Sequence, residues 1–253
     1  MPEVVAPLPN AHGATLMTTG DGGVAAVFPY LEGDTGRRDL ATARAAAGVL
    51  ARFHRAMHDV HVAGGMRSTR FLGVLPWLRH RFLRFAADPR VARAVDWDAL
   101  IVAVTAASAR VVPRAGALPH VVVHGDPNPE NVVSVEPGVV TGLIDFDFAH
   151  ETERVYDLGT FVDEFARDAD DAPLALDRIA PLLAAYDEHA PIAPDERALI
   201  PEAMLRRAAT LVWYVATRHG ERTPGDVGGA PRYARRVIEI ATRADAIREA
   251  AHG

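Results

Sequence analysis

The chain has 253 residues, 49% hydrophobic and 24% charged, with a formal net charge of −6, enough apolar material for one large domain or two small ones. It contains no cysteine, which excludes disulfides, thiolate zinc sites, iron–sulfur clusters and cysteine nucleophiles. The acidic balance, the lack of a long basic run and the lack of eighteen consecutive apolar residues argue against nucleic-acid and membrane partners.

The amino terminus lacks the basic start and apolar middle of a signal peptide, so a cytoplasmic protein is expected. Residues 2–12 are too rich in proline for a helix, and two strands, near Thr15–Thr18 and Val24–Tyr30, are expected to form a hairpin around Gly-Asp-Gly-Gly. Residues 39–60 carry Ala46, Val49, Leu50, Phe53, Met57 and Val60 at helical spacing. Further helices are expected near 76–87 and 90–110, ended by Pro113 and Gly116.

The character then changes to short β-branched runs at 120–123, 131–135 and 139–144, the last two joined by the turn residues Glu136-Pro137-Gly138. Helical segments follow near 156–168, 174–189, 195–219 and 230–250. The fold class is α+β and mostly helical, with polar residues converging where the strands lie.

Residues 121–133, VVVHGDPNPENVV, place His124, Asp126, Asn128 and Asn131 in a loop between two apolar strands, and LIDFDFAH adds Asp145 and Asp147 directly after the third. A hairpin between the second and third strands brings Asn131 close to Asp145. Phosphoryl transfer from a nucleotide needs a metal on the phosphates, held by hard oxygen ligands, and a group that orients the attacking hydroxyl. Protein kinases use an Asp, an Asn five residues later, and a further Asp in an Asp-Phe-Gly segment. Asp126 and Asn131 have that separation, and Phe146 follows Asp145.

Here the chain resembles the aminoglycoside phosphotransferase and choline kinase-like family, whose signature is His-x-Asp-x-x-x-x-Asn, an Asp-Phe-Asp or Asp-Trp-Asp segment, and Tyr-Asp-Leu. The chain reads His124-Gly125-Asp126, Asn131, Asp145-Phe146-Asp147 and Tyr156-Asp157-Leu158 in that order. The resemblance implies a kinase-like fold and transfer of a phosphoryl group from ATP or GTP to a hydroxyl of a small molecule such as an aminoglycoside, amino alcohol or sugar. It implies Asp126 as catalytic base, Asn131 and Asp145 as Mg2+ ligands, Asp157 as a brace for the loop, and His124 as the residue that orients it. Asp147 is divided between metal binding and support. Phe28-Pro29-Tyr30-Leu31-Glu32-Gly33 resembles the hinge between the family's lobes, which places adenine near Val27, Phe28, Pro29 and Tyr30.

Members of that family begin with a small β-rich lobe carrying a glycine-rich phosphate loop, a lysine that pairs the phosphates and a helix glutamate that holds the lysine. None of the three is visible here, and all 27 basic side chains are arginine. If residues 24–30 are the last strand of that lobe, too few residues precede it for three strands and a helix. The expectation is a remnant of that lobe and hinge over 1–36, a helical kinase-like lobe over 37–253, and low or absent activity.

Two other readings compete. A non-catalytic, pseudokinase-like binding module fits the missing lobe, and a metal-dependent phosphoester hydrolase would use His124, Asp126, Asp145, Asp147 and His150. Asp163, Glu164, Asp168, Asp170 and Asp171 are expected on a solvated helix face rather than in a cationic-substrate pocket. Trp213 and Tyr214 are expected in the core. His54, His58 and His61 share one helix face and suggest a metal site only weakly.

Overall fold

Proline and glycine punctuate the first forty residues so densely that little ladder forms there. The computed structural model describes residues 3–60 and 71–253; His61 lies outside them. Strand β1 (Met17–Thr18) pairs with β2 (Val24–Ala25) antiparallel, in a hairpin of only two residue pairs. Residues 26–30 do not continue β2 as the sequence suggests. Proline gives no N–H to a ladder, and Val27 instead accepts the backbone N–H of Leu8 at 2.7 Å.

Helix α1 (Leu40–Ala56) starts where Asp39 accepts the N–H of Thr42 at 2.9 Å, a side-chain cap for an otherwise orphaned donor. Its Ala43, Ala46, Ala47, Leu50, Phe53 and His54 face the core. Helix α2 (Phe71–Ala87) begins earlier than expected and contains Pro76. Helix α3 (Trp97–Val111) begins later, capped by Asp96 on the N–H of Ala99, because residues 88–95 turn around the carboxylate of Asp88.

Four strands carry the central loops: β3 (His120–Val123), β4 (Val132–Glu136), β5 (Val139–Leu143) and β6 (His150–Glu153). The hairpin β4–β5 aligns Val132 with Leu143 and Val133 with Gly142. The N-terminal segment joins one edge through the Val4–Leu143 bridge, and Asp34 joins the other through Ser134. β6, absent from the sequence reading, pairs with β3 from His120–Glu153 to Val123–His150. Its residues, HETE, have weak strand propensity, so pairing decides the outcome.

The rest is helical: α4 (Val155–Phe165), α5 (Ile179–Asp187), α6 (Pro194–Ala198), α7 (Ile200–Arg222), α8 (Ala230–Thr242) and α9 (Ala244–His252). The expected helix 195–219 divides at Leu199 and that at 230–250 divides at Arg243. α4 stops at Phe165, and α5 starts only after a 3-10 turn at Leu176–Arg178. Close approach of α4 and α7 rests on Gly159, where a Cβ would lie 2.3 Å from the Cβ of Ala203. Among the described residues no helix is long and apolar enough to cross a membrane.

Two expectations about side chains fail. Asp163 and Glu164 are buried rather than solvated, because α4 turns that face toward arginines: Asp163 meets Arg167 at 2.9 Å and Glu164 meets Arg236 at 3.2 Å. Asp168, Asp170 and Asp171 are exposed as expected, Asp170 paired with Arg38 and Asp168 with Arg178. Tyr214 is 45% exposed, not core. Trp213 packs edge-on against Trp77 at 4.6 Å, with the Arg81 guanidinium 5.2 Å from the Trp77 ring.

Candidate active site

The loop after β3 is held from below by one carboxylate. Asp157, in the first turn of α4, is fully buried and accepts the N–H of His124 at 2.7 Å on Oδ2 and that of Gly125 at 2.9 Å on Oδ1. His54 Nε2 donates to the same Oδ2 at 2.9 Å, and the Tyr186 hydroxyl meets His54 Nδ1 at 2.7 Å. Burial alone would push the Asp157 carboxyl up. The hydrogen bond and charge of His54 and the backbone N–H of His124 outweigh burial and hold the group below its ordinary range. Burial likewise pushes the Tyr186 phenol up, which keeps it protonated.

Gly125 is the turn's pivot. Its φ is +88°, and an added Cβ would lie 2.1 Å from the carbonyl oxygen of Phe148. Only glycine fits both requirements. The buried ring of His124 spans the two segments: Nδ1 accepts the N–H of Asp126 at 3.2 Å and Nε2 donates to the Ile144 carbonyl at 2.8 Å. With both nitrogens engaged by backbone and Phe146 packed at 4.6 Å, this histidine has no lone pair left for a metal.

Asn131 is 8% exposed and its amide N–H donates to the Asp126 carbonyl at 2.9 Å, which closes the loop on itself. The backbone carbonyl of Asn131 accepts the N–H of Ile144 at 3.0 Å, so the residue before Asp145 is tied to Asn131. Asp145 is exposed and has φ +63°, the single non-glycine among the described residues in the left-handed region. Aspartate tolerates that conformation better than most residues, and strain of this kind gathers at functional sites. Asp147 is exposed and its N–H makes only a long 3.4 Å contact with Asp145 Oδ1.

Asp145 and Asp147 border an apolar cavity of about 820 Å3, within the range of small-molecule sites. Phe28, Pro29, Tyr30 and Leu31 line one side, Phe53 and Val122 the interior, and Asp145–Asp147 the other side. Val27 does not line it, and its carbonyl is already taken by Leu8. Among the described lining residues there is no basic side chain.

The sequence reading missed Arg207. This residue of α7 places Nη2 2.5 Å from Asp126 Oδ1 although 81 residues separate the two in the chain. No motif flags it, since Arg206 beside it is equally basic and points into the core, its guanidinium 3.3 Å from the Tyr156 ring. The hydrolase ligand set does not assemble. His150 Nδ1 donates to the Phe148 carbonyl at 2.7 Å, and among the described residues no three His, Asp or Glu side chains group as a metal site. His54 of the histidine trio serves Asp157 instead.

Hard oxygen donors for a divalent cation are present at Asn131 and Asp145. The Asn131 amide nitrogen is fixed by Asp126, which leaves its Oδ1 as the remaining donor, and the exposed Asp145 carboxylate makes only the long Asp147 contact. The donor set therefore fits a magnesium-type ion.

Comparison with known proteins places the fold and the family. The homoserine kinase of Mesorhizobium japonicum is 30% identical over 89% of this chain and 67% of its own length. The chain thus spans about two thirds of that relative, and 62% of a similar homoserine kinase from Caulobacter. Among solved structures, a microcompartment-associated aminopropanol kinase superposes with a TM-score of 0.72 at 19% identity, over 95% of this chain and 75% of that one. An aminoglycoside phosphotransferase from Alicyclobacillus acidocaldarius gives 0.70 at 16% identity, over 99% and 78%. At such identities these two establish a shared fold. The model of the phosphotransferase enzyme family, which matches residues 2–192, establishes descent: the chain belongs to that family.

Proposed function

We propose that the chain carries the base and metal residues of an ATP-dependent kinase that phosphorylates a hydroxyl of a small molecule. The observation that carries this reading is the bond between the Asn131 carbonyl and the Ile144 N–H, which ties Asn131, itself bonded to Asp126, to the residue before Asp145 at the wall of the apolar cavity. Names of the relatives, homoserine kinase and aminopropanol kinase, support a small alcohol as acceptor.

Adenine would lie against Phe28, Pro29, Tyr30 and Leu31. Residues 1–36 would supply that side of the nucleotide site and residues 37–253 the catalytic lobe. Asn131 and Asp145 would hold Mg2+, which neutralises phosphate charge when bound. Asp126 would take the acceptor's proton, on the oxygen not paired with Arg207. His124 and Asp157 would hold the loop in register, and Asp147 would back up Asp145 in the metal site.

A second reading, a module that binds nucleotide without turning it over, is favoured by the lack of a basic side chain among the described lining residues. Transfer of labelled γ-phosphate to a panel of small alcohols separates the two. Labelled product from the parent chain, and none from Asp126→Ala, supports the kinase; metal-dependent ATP binding with no product supports the module.

A further inference from the structure

Away from the catalytic loop, the end of α2 and the end of α7 enclose a second cavity of about 430 Å3, within the range of small-molecule sites. Arg81, Arg84 and Phe85 line it from α2, where spacings of three and four put them on one helix face, and Trp213 and Gly220 line it from α7. Its α7 wall begins six positions past Arg207, so it starts about 9 Å along the helix from the residue that meets Asp126. None of its lining residues borders the apolar cavity beside Asp145.

The acids of this cavity are already engaged. Asp88, four positions after Arg84, is its partner by spacing, but the carboxylate is taken by Arg90, through Nε at 2.9 Å, Nη2 at 2.7 Å and the backbone N–H at 3.0 Å. Asp226 accepts the N–H of Gly228 at 2.8 Å and meets His219 at 3.3 Å, and Glu221 lies 3.9 Å from Arg218. Arg81 and Arg84 are left with no ion pair or hydrogen bond among the described residues. Rings hold Arg81 instead: its guanidinium carbon lies 5.2 Å from the Trp77 centroid and 5.9 Å from that of Trp213, while its Nε is buried without an acceptor. A π face attracts the charge but supplies no oxygen acceptor, and like charges three apart on a helix repel. An anion beside both arginines removes both faults.

We infer that this cavity binds a small apolar carboxylate, its charged end held by Arg81 and Arg84 and its body against Phe85 and Trp213. A guanidinium matches a carboxylate with two parallel N–H···O bonds, and aromatic walls favour an apolar body. A bare anion would leave the rings unused, and a neutral aromatic would leave the cations unmatched. This is a ligand site apart from the nucleotide cavity, and it stands whether or not the chain transfers phosphate.

Calorimetric titration of the full chain with 3-phenylpropionate, 3-phenylpropanol and acetate tests the inference. The aromatic acid is expected to bind at least tenfold more tightly than the alcohol, which lacks the charge, and than acetate, which lacks the ring. Arg81→Gln and Arg84→Gln are each expected to weaken the aromatic acid at least tenfold and leave the alcohol unchanged, with folds checked by circular dichroism. Arg84 is exposed, so its replacement keeps the test open if Arg81→Gln does not fold. Four results overturn the inference: no binding of the aromatic acid, acid and acetate binding equally, acid binding unaltered in Arg84→Gln, or acid and alcohol binding equally. The last is what the cavity beside Asp145 would give, since no basic side chain is among its described lining residues.

Discussion

The imidazole of His54 and the carboxylate of Asp157 meet at 2.9 Å in the interior, 103 positions apart in sequence and neither side chain exposed. Through this pair α1 and α4 hold the loop that presents Asp126. Asp157→Asn keeps the shape but removes the charge that three hydrogen bonds address. Breaking a buried pair of this kind costs about 3–5 kcal/mol, so urea unfolding of the variant is expected to show a much lower midpoint at pH 7.

The same pair sets an acid limit. Because the folded-state Asp157 sits below its ordinary carboxylate range, its contribution is complete above about pH 4 and is lost as pH falls through the lower folded value. Stability of the parent chain should therefore fall more steeply below pH 4 than that of Asp157→Asn. Parallel pH curves for the two would remove Asp157 as the cause.

Gly125→Ala tests the loop pivot. The new methyl would meet the Phe148 carbonyl at 2.1 Å in a backbone conformation that alanine avoids. The expected result is a loss of about 2 kcal/mol or more, with phosphoryl transfer falling further than stability because Asp126 is displaced.

Asp145 tests the trade of strain for chemistry. Asp145→Gly relieves the positive φ and is expected to raise stability by about 1 kcal/mol. The same change removes the proposed metal ligand, so Mg2+-dependent nucleotide binding should disappear as the melting temperature rises. A variant that melts lower, or binds as before, contradicts the placement of strain at a functional ligand.

Much of the site was legible because it is local. His124 to Asn131 and Asp145 to Asp147 lie on either side of one hairpin, and the turn residues Glu136-Pro137-Gly138 announce it. Arg207 was not legible, since its partnership with Asp126 depends on how α7 crosses α4 at Gly159 and no spacing encodes that crossing. β6 was hidden for a similar reason: β3 recruits residues with little strand propensity of their own. Glu164 of α4 read as part of a solvated face because its partner Arg236 lies on α8, about seventy positions along the chain.

The central claim is that Asn131 and Asp145 hold a divalent cation on which nucleotide binding depends. With no basic side chain among the described residues lining the apolar cavity, the metal must meet much of the phosphate charge. Calorimetric titration with ATP, in Mg2+ and then in EDTA, tests this directly for the parent chain and Asp145→Ala. The account predicts binding in Mg2+ that falls at least tenfold in EDTA and at least tenfold in the variant. Equal affinity with and without the metal, or an unaltered Asp145→Ala, would contradict it.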